Sequence, residues 1–187
     1  MNLDSLEIKR SSFDLFNENT PTEISMVLKG FYEPIRKPVI VCIGSDLVLG
    51  DSLGPLVGTL LKKKGVNAYV YGSLSMPVTA KEISHLKSFL KKVHPKSFVL
   101  AVDAAVGDLG EVGKIKAYKK GLKPGLGVNK NLGEMGDCSI IGIVAEKSKS
   151  NKKLFSFTRL NLVYKMAEQI ACGLEEYLTF KPNYNFL

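Results

Sequence analysis

Short hydrophobic runs alternate with amphipathic stretches along most of this chain. The β-branched runs at 39–43, 67–71 and 98–102 predict three strands, and helical periodicity at 53–64 and 79–93 predicts the helices that connect them. Strands that alternate with helices in this way form a mostly parallel sheet with helices on both faces. The pattern therefore predicts an α/β fold built as a three-layer α/β/α sandwich.

The pattern changes after Asp103. Apolar runs at 112–118 and 138–144 predict two further strands, and residues 158–180 have the helical spacing of a long amphipathic helix that packs on the sheet. The glycine-rich segment 121–136 predicts a long loop between these strands. Loops of that length inside compact domains are often functional.

The chain divides into an N-terminal extension, residues 1–37, and a single domain, residues 38–187. The extension has a short alternating piece at 6–10 and a weakly helical piece at 22–32, and no chemistry is assigned to it. The total of 187 residues is enough for one domain of ordinary size with a buried core.

Two aspartates follow predicted strands, at the edge where an open parallel sheet binds its ligand. Asp51 lies in the glycine-bounded loop after the first predicted strand, and Asp103 directly follows the third. If the strand order begins 2-1-3, the order reverses between these two strands and leaves a crevice beyond their carboxyl ends. Both carboxyl groups are therefore predicted to face one crevice.

The chemistry of this pair has more than one interpretation. Asp51 or Ser52 can cap the helix that begins there, with Pro55 in its first turn, and a cap alone would explain Asp51. Asp103 follows five apolar residues, where burying an unpaired charge costs several kcal/mol. Two carboxyl groups in one crevice can share a proton and act as general base and general acid, or they can hold a divalent metal that activates water.

Several motifs resemble those of a known family. Residues 44–55 read G-x-x-x-x-x-x-D-x-L-G-P, and together with residues 101–104 they resemble the germination proteases of spore-forming bacteria. The chain resembles the YyaC-type sporulation proteins, a family related to those proteases, more closely, since segments 123–132, 136–144 and 158–160 also match. The hydrogenase maturation proteases are more distantly similar.

The resemblance implies a fold and a function. It implies a phosphorylase/hydrolase-like α/β sandwich and a cytoplasmic, sporulation-linked endopeptidase in which Asp51 and Asp103 carry peptide hydrolysis. The implied partner is a peptide or protein substrate, with small acid-soluble spore proteins as candidates. Two alternatives stay open: a non-catalytic sporulation factor that binds a protein or small ligand in the same crevice, and a metal-assisted hydrolase.

Further residues are expected to line the crevice. Glycine at the start of the first loop permits sharp bends and close approach of the backbone to a ligand. Lys130 in the glycine-rich loop could act as an electrophile or bind an anionic group of the ligand. The alternative is that such residues are solvated loop residues without a functional role. The predicted substrate-binding residues are Gly44, Ser45, Asp46, Asn129, Lys130 and Asp137.

No cofactor is predicted, although a divalent metal between Asp51 and Asp103 remains an alternative. The hydrogenase maturation proteases have a His as third metal ligand, whereas the two histidines here, His85 and His94, lie in the second predicted helix and just before the third predicted strand. His94 is therefore expected at the sheet edge opposite the crevice. Many YyaC-type relatives have a His near position 79, where this chain has Thr79.

Composition limits the remaining function classes. Twenty-six Lys and Arg against 18 Asp and Glu give a net charge of +8, but the lysine clusters fall at predicted element ends, and no nucleic-acid-binding motif accompanies them. Nucleic acid is therefore not favoured as the main partner. No apolar stretch approaches the roughly 20 residues of a membrane span. The three cysteines, Cys42, Cys138 and Cys172, have no CxxC spacing, which fits the reducing cytoplasm.

Overall fold

A single six-stranded sheet forms the centre of the molecule. The computed structural model describes residues 10–31, 37–124, 133–147 and 158–179. The elements in chain order are β1 (Arg10–Asp14), α1 (Thr20–Phe31), β2 (Val39–Cys42), a 3₁₀ turn (Leu49–Ser52), α2 (Leu53–Lys64), β3 (Tyr69–Tyr71), α3 (Ile83–Val93), β4 (Val99–Gly107), β5 (Lys114–Tyr118), β6 (Cys138–Glu146) and α4 (Leu160–Thr179).

The strand order places the predicted crevice between β2 and β4. The order is β1-β5-β6-β4-β2-β3, in which β3, β2, β4 and β6 are parallel neighbours and β5 runs antiparallel to both β1 and β6. The segment β3-β2-β4 has the 2-1-3 order considered in the sequence analysis. The strand order therefore reverses next to β2, and the predicted mostly parallel α/β sheet is confirmed.

Helices cover both faces of the sheet. Ile40, Leu100 and Ile140 of the central strands pack in one core cluster with residues of α1, α2 and α4. Val41 and Ile83 belong to a second cluster on the opposite face, where α3 lies. Because successive strand residues point to opposite faces, the nearly continuous apolar runs of β2 and β4 serve both clusters. The predicted three-layer α/β/α sandwich is confirmed.

The N-terminal segment contributes to the sheet and to the helical layer. Strand β1 pairs along its whole length with β5, and α1 packs on α4. The packing is close, because a Cβ at Gly173 of α4 would lie 2.9 Å from side-chain atoms of Ile24 in α1. Residues 10–31 are thus integrated in the fold, although the domain was predicted to begin at residue 38. Phe13 and Leu15, both buried, anchor this segment in the core.

Strand β4 is longer than its sequence pattern predicts. It was expected to end at Val102, but it continues to Gly107 because these residues pair with β6. Strand β2 ends at Cys42, which is the partner of Val102. Asp103 therefore lies inside β4, just beyond the last residue that pairs with β2, and not at a strand end.

Local structure also departs from prediction at the start of α3 and in the glycine-rich segment. Helix α3 begins at Ile83, and residues 79–82 form a turn in which the Glu82 carboxylate accepts hydrogen bonds from both the hydroxyl and the backbone N–H of Thr79. In the glycine-rich segment, Leu122 and Met135 form an isolated antiparallel bridge, while residues 125–132 lie outside the described ranges. None of the helices in the described ranges has both the length and the apolar character of a membrane span.

Candidate active site

Asp51 is held at the carboxyl end of β2 by a loop that closes on itself. The Ser45 N–H donates to the Asp51 carbonyl at 3.1 Å, and the Asp51 N–H donates to the Val48 carbonyl at 2.9 Å. Asp51 is half-buried in the 3₁₀ turn that leads into α2. These backbone hydrogen bonds therefore define the position of Asp51 at the edge of the sheet.

Two glycines explain the spacing of the loop motif. Gly44 has a φ of +143°, and a Cβ there would lie 2.0 Å from the Asp51 carbonyl oxygen. A Cβ at Gly54 would lie 2.0 Å from the Ile43 carbonyl oxygen. Only glycine allows such close approach of two backbone segments. The space beside Gly44 is thus filled by the Asp51 backbone and not by a ligand, which is how this glycine contributes to the site.

The predicted helix cap is confirmed in position but not as a side-chain hydrogen bond. Ser52 occupies the N-cap position of α2 but makes no capping hydrogen bond, since its hydroxyl donates to the Leu49 carbonyl at 2.6 Å. Asp51 precedes the cap position and lies within the 3₁₀ turn that leads directly into the helix. Pro55 lies in the first turn of α2 as predicted. A cap alone therefore does not explain the Asp51 carboxyl group.

The structure brings Asp103 and Asp51 into electrostatic contact. Burial and, second, the nearby Asp51 charge raise the pKa of Asp103 to about 8, against a hydrogen bond from the Ala104 N–H to Oδ1 at 2.8 Å. Burial also raises the pKa of Asp51, and the Ser45 N–H opposes this rise. The Asp103 residue is half-buried, so part of its surface remains accessible to solvent. Burial therefore raises the pKa of both carboxyl groups, and at Asp103 the Asp51 charge adds to the effect.

Of the other predicted site residues, some lie near this pair. Ser45 is half-buried and Asp46 is exposed, and both lie in the loop that carries Asp51. The Ser45 hydroxyl oxygen accepts a hydrogen bond from the Leu47 N–H at 3.2 Å. Asn129 and Lys130 lie outside the described residues. Their roles stay predictions.

Asp137 lies away from the crevice. Its Oδ2 accepts a hydrogen bond from the Val99 N–H at 2.8 Å, and its own N–H donates to the Val99 carbonyl at 2.7 Å. Val99 begins β4, four residues before Asp103, which corresponds to roughly 13 Å along a strand. The expectation that Asp137 lines the crevice is therefore corrected, because the glycine-rich segment returns to the amino-terminal edge of the sheet before β6 begins.

The segment after β3 borders the crevice, a position that was not predicted for it. Val78 forms a parallel bridge with Ile43, and its carbonyl accepts a hydrogen bond from the Gly44 N–H at 2.9 Å. This position could have been predicted from the sequence, because the segment follows a parallel strand and the carboxyl ends of parallel strands lie at one edge of the sheet. The neighbouring Thr79 is engaged with Glu82, so it shapes the turn that begins α3.

The described residues do not fit a three-ligand metal site at the aspartate pair. His94 lies at the opposite edge of the sheet, where its Nε2 is 2.7 Å from the Tyr71 hydroxyl oxygen, and His85 is exposed on α3. Within the described ranges, His, Cys, Asp and Glu form no group of three or more that could hold a metal ion. Asp51 and Asp103 supply two ligating side chains, whereas catalytic zinc sites, for example, use three protein ligands.

The cysteines in the described strands are unsuited to nucleophilic catalysis. Cys42 is fully buried in β2, and burial raises the pKa of its thiol to about 12. Burial likewise raises the pKa of Cys138 at the start of β6. Because the thiolate is the nucleophile, these two residues act as small core side chains at neutral pH.

A separate cleft contains neither aspartate. It has a volume of about 520 Å³ and lies between the turn after β1, the end of β6 and the first turns of α4, with Phe16, Val144 and Leu162 among its lining residues. Because the two aspartates lie outside this cleft, we do not assign the candidate site to it.

Comparisons with known proteins agree with this fold. Residues 14–173 match the family described as "Protein of unknown function (DUF1256)". The chain belongs to this family. It is also similar to the uncharacterized protein YyaC of Bacillus subtilis (strain 168), with 45% identity over 137 residues, which are 73% of this chain and 67% of YyaC. The predicted YyaC-type family membership is confirmed.

A solved structure extends the comparison beyond the DUF1256 family. The NiFe-hydrogenase maturation protease HycI from Thermococcus kodakarensis has a similar structure, with a TM-score of 0.55 and 20% sequence identity, covering 83% of this chain and 99% of HycI. At this identity the likeness shows a shared fold alone. The roles of Asp51 and Asp103 therefore depend on their geometry and remain predictions.

Proposed function

We propose that this DUF1256 protein is an endopeptidase in which Asp51 and Asp103 form an acid–base pair. The observation that carries the proposal is the pairing of two partly buried carboxyl groups at the switch point, with the pKa of Asp103 raised to about 8. Titratable groups whose pKa values are shifted by burial and by a like charge are typical of active sites. The fold shared with a maturation protease supports the same reaction class.

The two carboxyl groups have opposite roles in the proposed reaction. The ionised Asp51 removes a proton from a water molecule as the water oxygen bonds to the peptide carbonyl carbon. The protonated Asp103 donates its proton to the amide nitrogen, the C–N bond breaks, and the products are a carboxylic acid and an amine. Exchange with solvent then returns Asp51 to its ionised form and Asp103 to its protonated form. No step uses a metal ion.

The proposed substrate is a protein of the sporulating cell, cleaved in the cytoplasm. The family resemblance supports the sporulation link, and small acid-soluble spore proteins are the candidate substrates. A net charge of +8 favours capture of an acidic polypeptide. A protonated carboxyl group is also a hydrogen-bond donor, so the second candidate function is non-catalytic binding of a protein or small ligand in this crevice.

Peptide cleavage with matched aspartate variants tests the proposal. Wild type, Asp51→Asn and Asp108→Asn are incubated with small acid-soluble spore proteins and with a library of unstructured peptides, and the products are identified by mass spectrometry. Asp51→Asn is expected to lower the rate about 10²–10⁴-fold, the usual contribution of a general base. Asp108 is an exposed aspartate paired with Lys147, so Asp108→Asn is expected to retain the wild-type rate.

The outcomes of this experiment separate the candidate functions. Equal cleavage by wild type and Asp51→Asn would rule out the acid–base assignment. Loss of cleavage in EDTA, restored by a divalent metal, would favour the metal-assisted hydrolase. Binding of a substrate protein without cleavage would favour the non-catalytic factor.

The pH dependence of cleavage should have two limbs. Above pH 8 the rate is expected to fall because Asp103 loses the proton that it must donate. At acidic pH the rate is expected to fall as Asp51 becomes protonated, at a pH above the usual value of 3.8 because burial raises its pKa. The measurement is kcat/KM between pH 4 and pH 10. A rate that stays constant through pH 9.5 would contradict the role of Asp103 as general acid.

A further inference from the structure

One stretch of β4 has a neighbouring strand on only one side. The last backbone hydrogen bond from the β2 side of β4 runs from the Ile43 N–H to the Val102 carbonyl, at 2.8 Å. Beyond it, β4 continues to Gly107 and pairs with β6 alone. Within the described residues, the β2 side of residues 104–106 therefore has no paired strand. This open edge begins next to Asp103.

The polar backbone groups of the open edge point towards the crevice. In a strand the N–H and C=O of one residue point to the same side, and the side alternates along the chain. Val102 points to β2, so Ala104 and Val106 point that way as well. Gly107 points to β6, since its carbonyl accepts a hydrogen bond from the Lys147 N–H at 2.7 Å. The pairing register with β6 shifts by one residue between Ala105 and Val106, where β6 has an extra residue, Val144. Because Gly107 still points to β6 beyond this shift, the alternation along β4 itself is kept.

Three backbone groups of this edge are free to bind a ligand. The Ala104 N–H donates to the Asp103 carboxyl group. Among the described residues, no hydrogen-bond partner occupies the Ala104 carbonyl or the N–H and carbonyl of Val106. Residues 104–106 are partly exposed, in contrast to the buried residues 100–102, and two of them are alanines, whose small side chains leave space beside the strand. Free groups in this arrangement are a template for another strand.

We propose that the polypeptide substrate binds as an added β-strand along Ala104–Val106. This inference rests on the proposed peptidase function and extends it by naming the substrate class, an extended segment of polypeptide. Backbone hydrogen bonds supply affinity in this mode, and alternate side chains supply specificity. A strand added here takes the position that β2 leaves open, so its backbone passes Asp103 and the loop that carries Asp51. Helical segments lack free backbone groups and do not bind in this way.

A proline substitution tests the edge without removing a bond to β6. Val106→Pro removes the N–H that points to the crevice, and proline is tolerated in strands where the lost N–H faces outwards. Val70→Pro is the matched control. The Tyr69 N–H donates to the Pro38 carbonyl at 2.9 Å, so the next N–H, that of Val70, points to the free side of the edge strand β3. Both variants change the same residue type and leave the ladder intact.

Binding is measured directly, so that the result does not depend on cleavage. An equimolar pool of unstructured dodecapeptides is titrated into ¹⁵N-labelled full-length protein, and the tightest member is isolated. We expect the Val106 amide resonance to shift and Val106→Pro to bind this peptide at least 10-fold more weakly than Val70→Pro. In a second measurement, single amides of the peptide are replaced by esters and binding to the wild-type protein is measured. Because only every second N–H of an added strand points to β4, we expect weaker binding only at alternate positions. This second measurement requires no folded variant.

The results distinguish the inference from the proposed function. An unshifted Val106 resonance at saturation, equal binding by the two proline variants, a uniform ester scan or the absence of any binding peptide would each overturn the added-strand mode. If any of these results is found while cleavage still depends on Asp51, the peptidase proposal is supported and only the added-strand mode is contradicted. Conversely, edge binding without cleavage by wild type would support the added strand and contradict the peptidase.

Discussion

Asp103→Asn is expected to abolish most peptide cleavage while the chain stays folded. The side chain of Asn has the shape and neutral charge of the protonated Asp, and its Oδ1 can still accept the hydrogen bond from the Ala104 N–H. It cannot donate a proton to the leaving nitrogen, so the rate should fall about 10²–10⁴-fold. The measurement is kcat/KM on a cleaved peptide, with Asp108→Asn as the control. Wild-type cleavage by Asp103→Asn would contradict its role as general acid.

The same variant should change how stability depends on pH. Asp103 has a pKa of about 8 when folded and, when exposed in the unfolded chain, its ordinary value of 3.8. Between these values the folded state retains a proton that the unfolded state releases, so the wild-type free energy of unfolding falls as pH rises. The Asn variant has no such proton. It should therefore become more stable than wild type, by an amount on the order of a few kcal/mol at pH 8.

Urea unfolding at intervals from pH 4 to pH 9 measures this effect. The difference in unfolding free energy between Asp103→Asn and wild type should grow through this range and level off above pH 8. Asp108 is exposed in the structure, and its Asn variant should follow the wild-type curve. Parallel curves for wild type and Asp103→Asn would show that Asp103 ionises normally in the folded protein.

Gly54→Ala is expected to destabilise the fold and displace Asp51. The new Cβ would lie 2.0 Å from the Ile43 carbonyl oxygen, a backbone atom that cannot rotate away. Helix α2 must then move from β2, together with the turn that carries Asp51. Overpacking in protein cores usually costs about 1–3 kcal/mol, and a backbone contact belongs at or above the upper end. The measurement is the free energy of unfolding in urea.

Gly30→Ala provides the matched control for this substitution. Gly30 lies in helix α1, and among the described residues a Cβ added there would meet no neighbouring element within 4 Å. Alanine favours helix by up to about 1 kcal/mol over glycine, so this variant should be as stable as wild type or more stable. Equal stability of the two variants would contradict the close approach of α2 and β2.

Elements with strong local patterns were predictable from the amino-acid sequence. Helix α2 was predicted as residues 53–64 and has those bounds. Its amphipathic spacing, Pro55 in the first turn and Gly65 in the left-handed conformation after the last turn are local features. The family was also recognisable, because motif residues such as Gly44 and Gly54 satisfy a backbone geometry that no other residue allows.

The candidate site was predictable only in part. The order of strands and helices was enough to predict that Asp51 and Asp103 face one crevice. The position of Asp137 was not predictable, because the path of a glycine-rich loop depends on long-range contacts, here the hydrogen bonds with Val99. Ser52 takes the N-cap position of α2 as predicted, but its hydroxyl makes no capping bond because it bonds within the 3₁₀ turn that leads into the helix.

The sequence by itself determined the α/β alternation and the family, and it identified the two aspartates as candidates, because hydrophobic periodicity and glycine spacing act over a few residues. Only the tertiary structure decided that Asp103 lies inside β4, since pairing with β6 extends a strand whose Asp and Ala residues have low strand propensity. It also decided that the pKa of Asp103 is raised, because burial and the Asp51 charge come from segments about fifty residues apart in the chain.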